Sequence, residues 1–177
     1  IGIIISRTSG SALIEFSKQY LFEPLGITDY KWFITPKGRG YAAGSFFIKP
    51  IDMLKIAALV LDKGNWKGKR IVSEKWIDES TNCHTDVDMS FMRFARTENA
   101  KYTTAKYGYF WYKERLKYKN IETEVLFASG NGGQYMMVLQ DYNAVVSFTG
   151  SNFGNWRGKL PFDILLKHII PILELEN

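Results

Sequence analysis

Three apolar runs in the second half of the chain, Val125–Ser129, Gln134–Leu139 and Ala144–Thr149, are separated by links of only a few residues. The links are Gly130-Asn131-Gly132-Gly133 and a turn around Asp141-Tyr142-Asn143. A parallel crossover needs a dozen or more residues, so these runs can pair only as antiparallel hairpins. Tyr107–Tyr112 is aromatic and reads as a further strand.

The first half reads as helices. Residues 3–20 show helical spacing, but Ser9-Gly10-Ser11 divides it, and the better helix is 11–21 with a serine cap at its start. Pro24 and Gly26 stop it, and 27–48 read as loop. Pro50 suits a first helical position, and Asp52 suits the same first turn. Ile51, Leu54, Ala58 and Leu61 then make one stripe, closed by Lys63-Gly64. Asn65 to Lys69 forms a turn and Arg70-Ile71-Val72 a short extended piece. Ser73 caps a helix through Ser80, with Trp76 and Ile77 predicted inward. Residues 82–106 read as a polar surface excursion. A last helix spans about Leu160 to Leu173, with Leu165, Ile169 and Ile172 on one side. Helices, then an antiparallel sheet, then a C-terminal helix is an α+β order. The 177 residues carry no internal repeat or linker and read as one unit.

Apolar content of 46% excludes a disordered chain, and no apolar run approaches a membrane span. The net charge of +5 is concentrated in 31–75, which holds ten basic and three acidic residues. No Lys/Arg run of five to eight residues and no nucleic-acid motif accompanies it, so it reads as solvated surface, and no nucleic-acid partner is expected.

Few residues offer chemistry. The single Cys83 and the distant His84 and His168 cannot build a tetrahedral metal site, and neither histidine is expected to act. The acid pairs Asp78-Glu79, Asp86/Asp88 and Glu122/Glu124 read as solvated charges, Glu122 and Glu124 at a sheet edge. Ser129–Gln134 (SGNGGQ) is the most informative segment. It is not a phosphate loop, because the G-x-x-x-x-G-K-[ST] spacing is absent. It is either a tight hairpin that needs positive φ, or a place where backbone amides meet an oxyanion or a substrate amide.

Taken in order, several segments resemble the C-terminal portion of the serine β-lactamase and penicillin-binding-protein-like hydrolases, in the class C β-lactamase and esterase branch. They are Ser9-Gly10, Tyr20–Asp29 (YLFEPLGITD), Ala42-Ala43-Gly44-Ser45 with Pro50–Met53, Tyr107–Trp111, and SGNGGQ. The resemblance implies a β-lactamase/transpeptidase-like fold and an acyl-enzyme mechanism on an amide, ester or lactam, without a cofactor. The substrate is then a small or peptide-like molecule, and the location periplasmic or extracellular. The oligomeric state stays open. The family's Lys-Thr-Gly or His-x-Gly motif falls on Asn131-Gly132-Gly133, with asparagine in place of the cation. Gln134 begins the edge strand that would supply an oxyanion N–H. No serine is followed three residues later by lysine, and Tyr118-Lys119-Asn120 lies too close to Asn131 to be the family's Tyr-x-Asn. The nucleophile, its lysine and the tyrosine are therefore expected upstream of Ile1. The other implied reading is a non-catalytic binding module of the same fold.

Overall fold

The computed structural model describes residues 1–42, 44–82, 84–87 and 101–175, without the side chains of 101–105 and 156. Ala43, Cys83 and Asp88 lie outside the described residues.

α1 (Gly2–Ser9) ends where Gly10 turns left-handed at φ 73°. α2 (Leu13–Ser17) follows and runs into a π-helical turn, Lys18–Phe22. The predicted serine cap is not found: Ala12 occupies the N-cap and no side chain caps it. The YLFEPLGITD segment then folds back on itself, with Ile27 N–H donating to the Phe22 carbonyl at 2.8 Å. Phe22, Leu25 and Ile27 are buried together with Leu59. Residues 27–48 are not simply loop. β1 (Tyr30–Trp32) pairs antiparallel with β2 (Phe46–Ile48), because Tyr30, Trp32 and Phe46 close over the Phe22 ring.

α3 (Pro50–Leu61) begins at Pro50 as the sequence requires. It has two buried faces rather than one stripe. Ala57 and Val60 meet the large sheet, while Leu59 meets the Phe22 cluster, and Ile51 is left exposed. Asp52 is buried and holds the Lys55 ammonium at 2.6 Å; that ammonium also donates to the Gly26 carbonyl at 2.9 Å. A buried acid is tolerated here because its charge is paired and bonded.

β3 (Asn65–Trp66) and β4 (Lys69–Arg70) form a small hairpin, and α4 (Glu74–Thr81) follows. Ser73 caps α4, its hydroxyl accepting from Trp76 N–H at 3.2 Å. Ser73→Ala should cost about 1 kcal/mol, read as a lower urea midpoint at unchanged slope. Only Ile77 of the expected inward pair is buried. Trp76 lies one residue away, about 100° around the helix, and is exposed.

The large sheet has the order β10-β9-β8-β7-β6-β5, wholly antiparallel. Its strands are β5 (Thr85–Asp86), β6 (Lys101–Tyr107), β7 (Tyr112–Tyr118), β8 (Ile121–Gly130), β9 (Gln134–Leu139) and β10 (Ala144–Phe148). Tyr107–Tyr112 is thus not one strand: Tyr107 ends β6, Tyr112 begins β7, and 108–111 turn between them, with Phe110 at φ 68° and Gly108 N–H donating to the Trp111 carbonyl. Within the supposed excursion 82–106, Thr85–Asp86 and 101–106 are sheet. Glu122 and Glu124 are not at an edge. They sit on the internal strand β8 and pair across to Lys117, Arg115 and Lys113.

The C-terminal helix is α5 (Leu160–Ile164), a π-helical turn (Leu165–Ile169) and α6 (Ile170–Leu173). Ile170 N–H reaches back five residues to the Leu165 carbonyl. Pro171 has no N–H to continue the regular ladder. The extra residue rotates the helix, so Leu165, Leu166 and Ile170 are buried while Ile172 is exposed. This helix covers one sheet face, Phe162 meeting Phe127 and Tyr135 edge-on at 5.1 and 5.0 Å. α3 and α4 cover the other. Among the described residues, no helix is long and apolar enough to cross a membrane.

Candidate functional site

All four residues expected at the site, Asn131, Gly132, Gly133 and Gln134, meet at the β8–β9 tip. Gly132 and Gly133 both have φ 95°, a region closed to most side chains. A Cβ on Gly132 would stand 3.0 Å from the Phe153 ring, and one on Gly133 would stand 3.1 Å from the Gly158 carbonyl oxygen. The tip is held to the following loop. Gln134 Nε2 donates to the Gly150 carbonyl, and Asn152 N–H donates to the Gly132 carbonyl at 3.0 Å.

Between tip and loop is a cavity of about 320 Å³, whose lining includes Ser129, Asn131, Gly132, Gly133, Asn155 and Lys159. Among the described residues Lys159 is its one charged lining residue, and its ammonium stands 5.6 Å from the Tyr135 ring centre. Sequence reading missed Lys159, which is one lysine among many and lies 28 positions from Asn131.

β9 is not an edge strand, since β8 and β10 flank it. The free ladder edge is on β8. Its pairing with β7 stops at Phe127–Tyr112, whereas its pairing with β9 continues to Gly130–Gln134. Among the described residues, Ala128, Ser129 and Gly130 are therefore paired from one side only. Such an edge can accept an extended amide chain.

Other candidates separate from this tip. His84 stacks on Tyr109 at 4.6 Å, with a ring nitrogen 2.8 Å from the Glu79 carbonyl oxygen. His168 is exposed on the C-terminal helix. The basic stretch 31–75 is partly neutralised: Lys49 meets Asp29 at 2.9 Å and Lys63 meets Asp78 at 2.5 Å. The Lys49 bond and charge lower the Asp29 pKa, and the same contact raises that of Lys49.

One ionisable group stands apart. Glu114, on β7, is 1% exposed beneath the C-terminal helix, and neither carboxyl oxygen has a hydrogen-bond partner among the described residues. Burial raises its pKa from 4.5 to about 8, against a smaller opposing pull from Lys159. The group is a neutral acid at pH 7.

Among solved structures, the chain is similar to a putative 6-aminohexanoate-dimer hydrolase from Bacillus anthracis. The TM-score is 0.72 at 18% identity, over 99% of this chain and 42% of that one. It is also similar to a penicillin-binding-protein homologue from Caulobacter crescentus. There the TM-score is 0.57 at 13% identity, over 87% of this chain and 50% of that one. The fold is β-lactamase/transpeptidase-like. No protein-family model matches the chain, and no curated protein matches it. The chain spans half or less of the length of the two structures it resembles.

Proposed function

We propose that this chain is the C-terminal part of a β-lactamase-related serine hydrolase, whose remaining part carries the nucleophile. The observation that carries this reading is the match of nearly the whole chain to less than half of a hydrolase of this fold. The missing S-x-x-K is in line with it. In the complete enzyme, a serine would attack an amide, ester or lactam carbonyl and form an acyl-enzyme. The free edge at Ala128–Gly130 would align an extended substrate, and the glycine tip would lie beside it. Export of the complete enzyme fits the same reading.

A second reading is a non-catalytic ligand- or peptidoglycan-binding module. Asn131, where the resembling enzymes have a cation, favours it.

Incubating residues 1–177 with a serine-reactive fluorophosphonate should give no covalent adduct by intact mass, and nitrocefin should not turn over. A stoichiometric adduct would overturn the fragment reading. The coding sequence immediately upstream separates enzyme from binder: S-x-x-K followed by Y-x-N supports the hydrolase, and their absence the module.

A further inference from the structure

Asn131 is the one asparagine of the chain that a glycine follows. Asn152 and Asn155, in the neighbouring loop, are followed by Phe153 and Trp156. An asparagine loses its amide when the backbone nitrogen of the next residue reaches its side-chain carbon. Glycine leaves that approach open because it has no Cβ. The fold adds three features that favour the attack. Asn131 is exposed, and Gly132 N–H has no protein acceptor among the described residues, so removing its proton breaks no hydrogen bond within them. Asn131 Oδ1 accepts from Gly154 N–H at 3.5 Å, which places a donor on the oxygen that takes up negative charge as the carbon is attacked. Lys159 lines the same cavity as Asn131 and Gly132, and a cation there favours the deprotonated form of the attacking nitrogen.

We propose that Asn131-Gly132 is a self-modifying site, at which the folded chain loses ammonia and gains an acid. The Gly132 nitrogen gives its proton to solvent and bonds to Asn131 Cγ. The bond from Cγ to Nδ2 then breaks, and Nδ2 takes a proton from solvent and leaves as ammonia. Water opens the resulting five-membered imide at either carbonyl, which leaves an aspartyl or isoaspartyl residue at position 131. In sum, one amide and one water become one carboxylic acid and one ammonia, with nothing oxidised or reduced. The new carboxylate lies at the cavity that Lys159 lines and offsets its one charge among the described lining residues. The isoaspartyl product also adds a methylene to the backbone beside Gly130–Gln134, where the β8–β9 pairing ends. The chain thus alters the charge of its own candidate site with age, whether or not the hydrolase reading holds.

The test holds folded 1–177 at mildly alkaline pH for days and reads each asparagine by peptide fragmentation in a mass spectrometer. The exchange of NH₂ for OH should appear at Asn131 well before any other asparagine, with part of the product accepting a methyl group from an isoaspartyl methyltransferase. Gly132→Ala should slow the exchange about tenfold or more, because the new Cβ crowds the attacking nitrogen. Alanine is strained at φ 95°, so Asn131→Gln, which keeps both tip glycines, is the second variant and should remove the exchange at this position. Equal rates at Asn131, Asn152 and Asn155 would overturn the proposal. So would an Asn131 that stays intact in the folded chain while the urea-unfolded chain loses its amide there.

Discussion

Glu114→Gln is expected to stabilise the chain strongly at alkaline pH and hardly at all near pH 4. The sign follows from proton linkage. In the unfolded chain the carboxyl ionises at 4.5, whereas in the folded chain burial holds the proton on until about 8. Between these values the folded state binds more protons, so stability falls as pH rises through the window. Each tenfold difference in proton affinity between the two states is worth about 1.4 kcal/mol, so the full effect is on the order of 5 kcal/mol and is complete above about pH 8. Gln has nearly the same shape and polarity as the protonated acid but cannot ionise. Urea midpoints of both proteins at pH 5 and pH 9 measure the effect. Two parallel pH profiles would show that Glu114 ionises normally in the fold.

The second large effect is expected at Gly64. This residue closes α3 at φ 87°, and a Cβ there would stand 2.1 Å from the Val72 carbonyl oxygen. The contact is with backbone, and Gly64 is itself tied down: its N–H donates to Leu59, and its carbonyl accepts from Ile71 and Val72. Any opening of the turn would move Val72, which packs against both the α3–sheet cluster and the Phe22 cluster. Gly64→Ala should therefore cost about 3 kcal/mol or more. Gly68 is the control, with φ 79° but nothing within 4 Å of its Cβ position. Gly68→Ala should cost about 1 kcal/mol. Thermal melts of the two variants should differ clearly, and similar Tm values would refute the steric argument.

Local chemistry was legible from residue types alone. Pro50, Gly64 and Ser73 act within a few residues, and each stands where its own geometry requires. The hairpins from β8 to β10 were equally plain, because their links are too short for anything else. What stayed hidden depends on distant partners. The segment YKERLKY of β7 looks like solvated chain until Lys113, Arg115 and Lys117 find Glu122 and Glu124 on the neighbouring strand. Glu114, between two of those bases, is indistinguishable from them in sequence, yet it points to the opposite face and is buried. The turn at Phe110 places its positive φ on a bulky aromatic residue two positions after Gly108, so the aromatic run read as strand. At the candidate site, the glycine tip was readable, but Lys159 comes to it only through the path of the chain after β10.

Every strand of the large sheet neighbours the strand next to it in the chain. Such a meander has low contact order, and its hairpins can zip one after another without first closing a long loop. The β8–β9 turn belongs to this rapid phase, with hairpin closure on the order of 1–10 μs. The Gly154–Lys159 wall leads directly into the C-terminal helix, whose Phe162 packs on Phe127 and Tyr135. The cavity thus joins a wall made by a local hairpin to one whose position depends on the docked C-terminal helix.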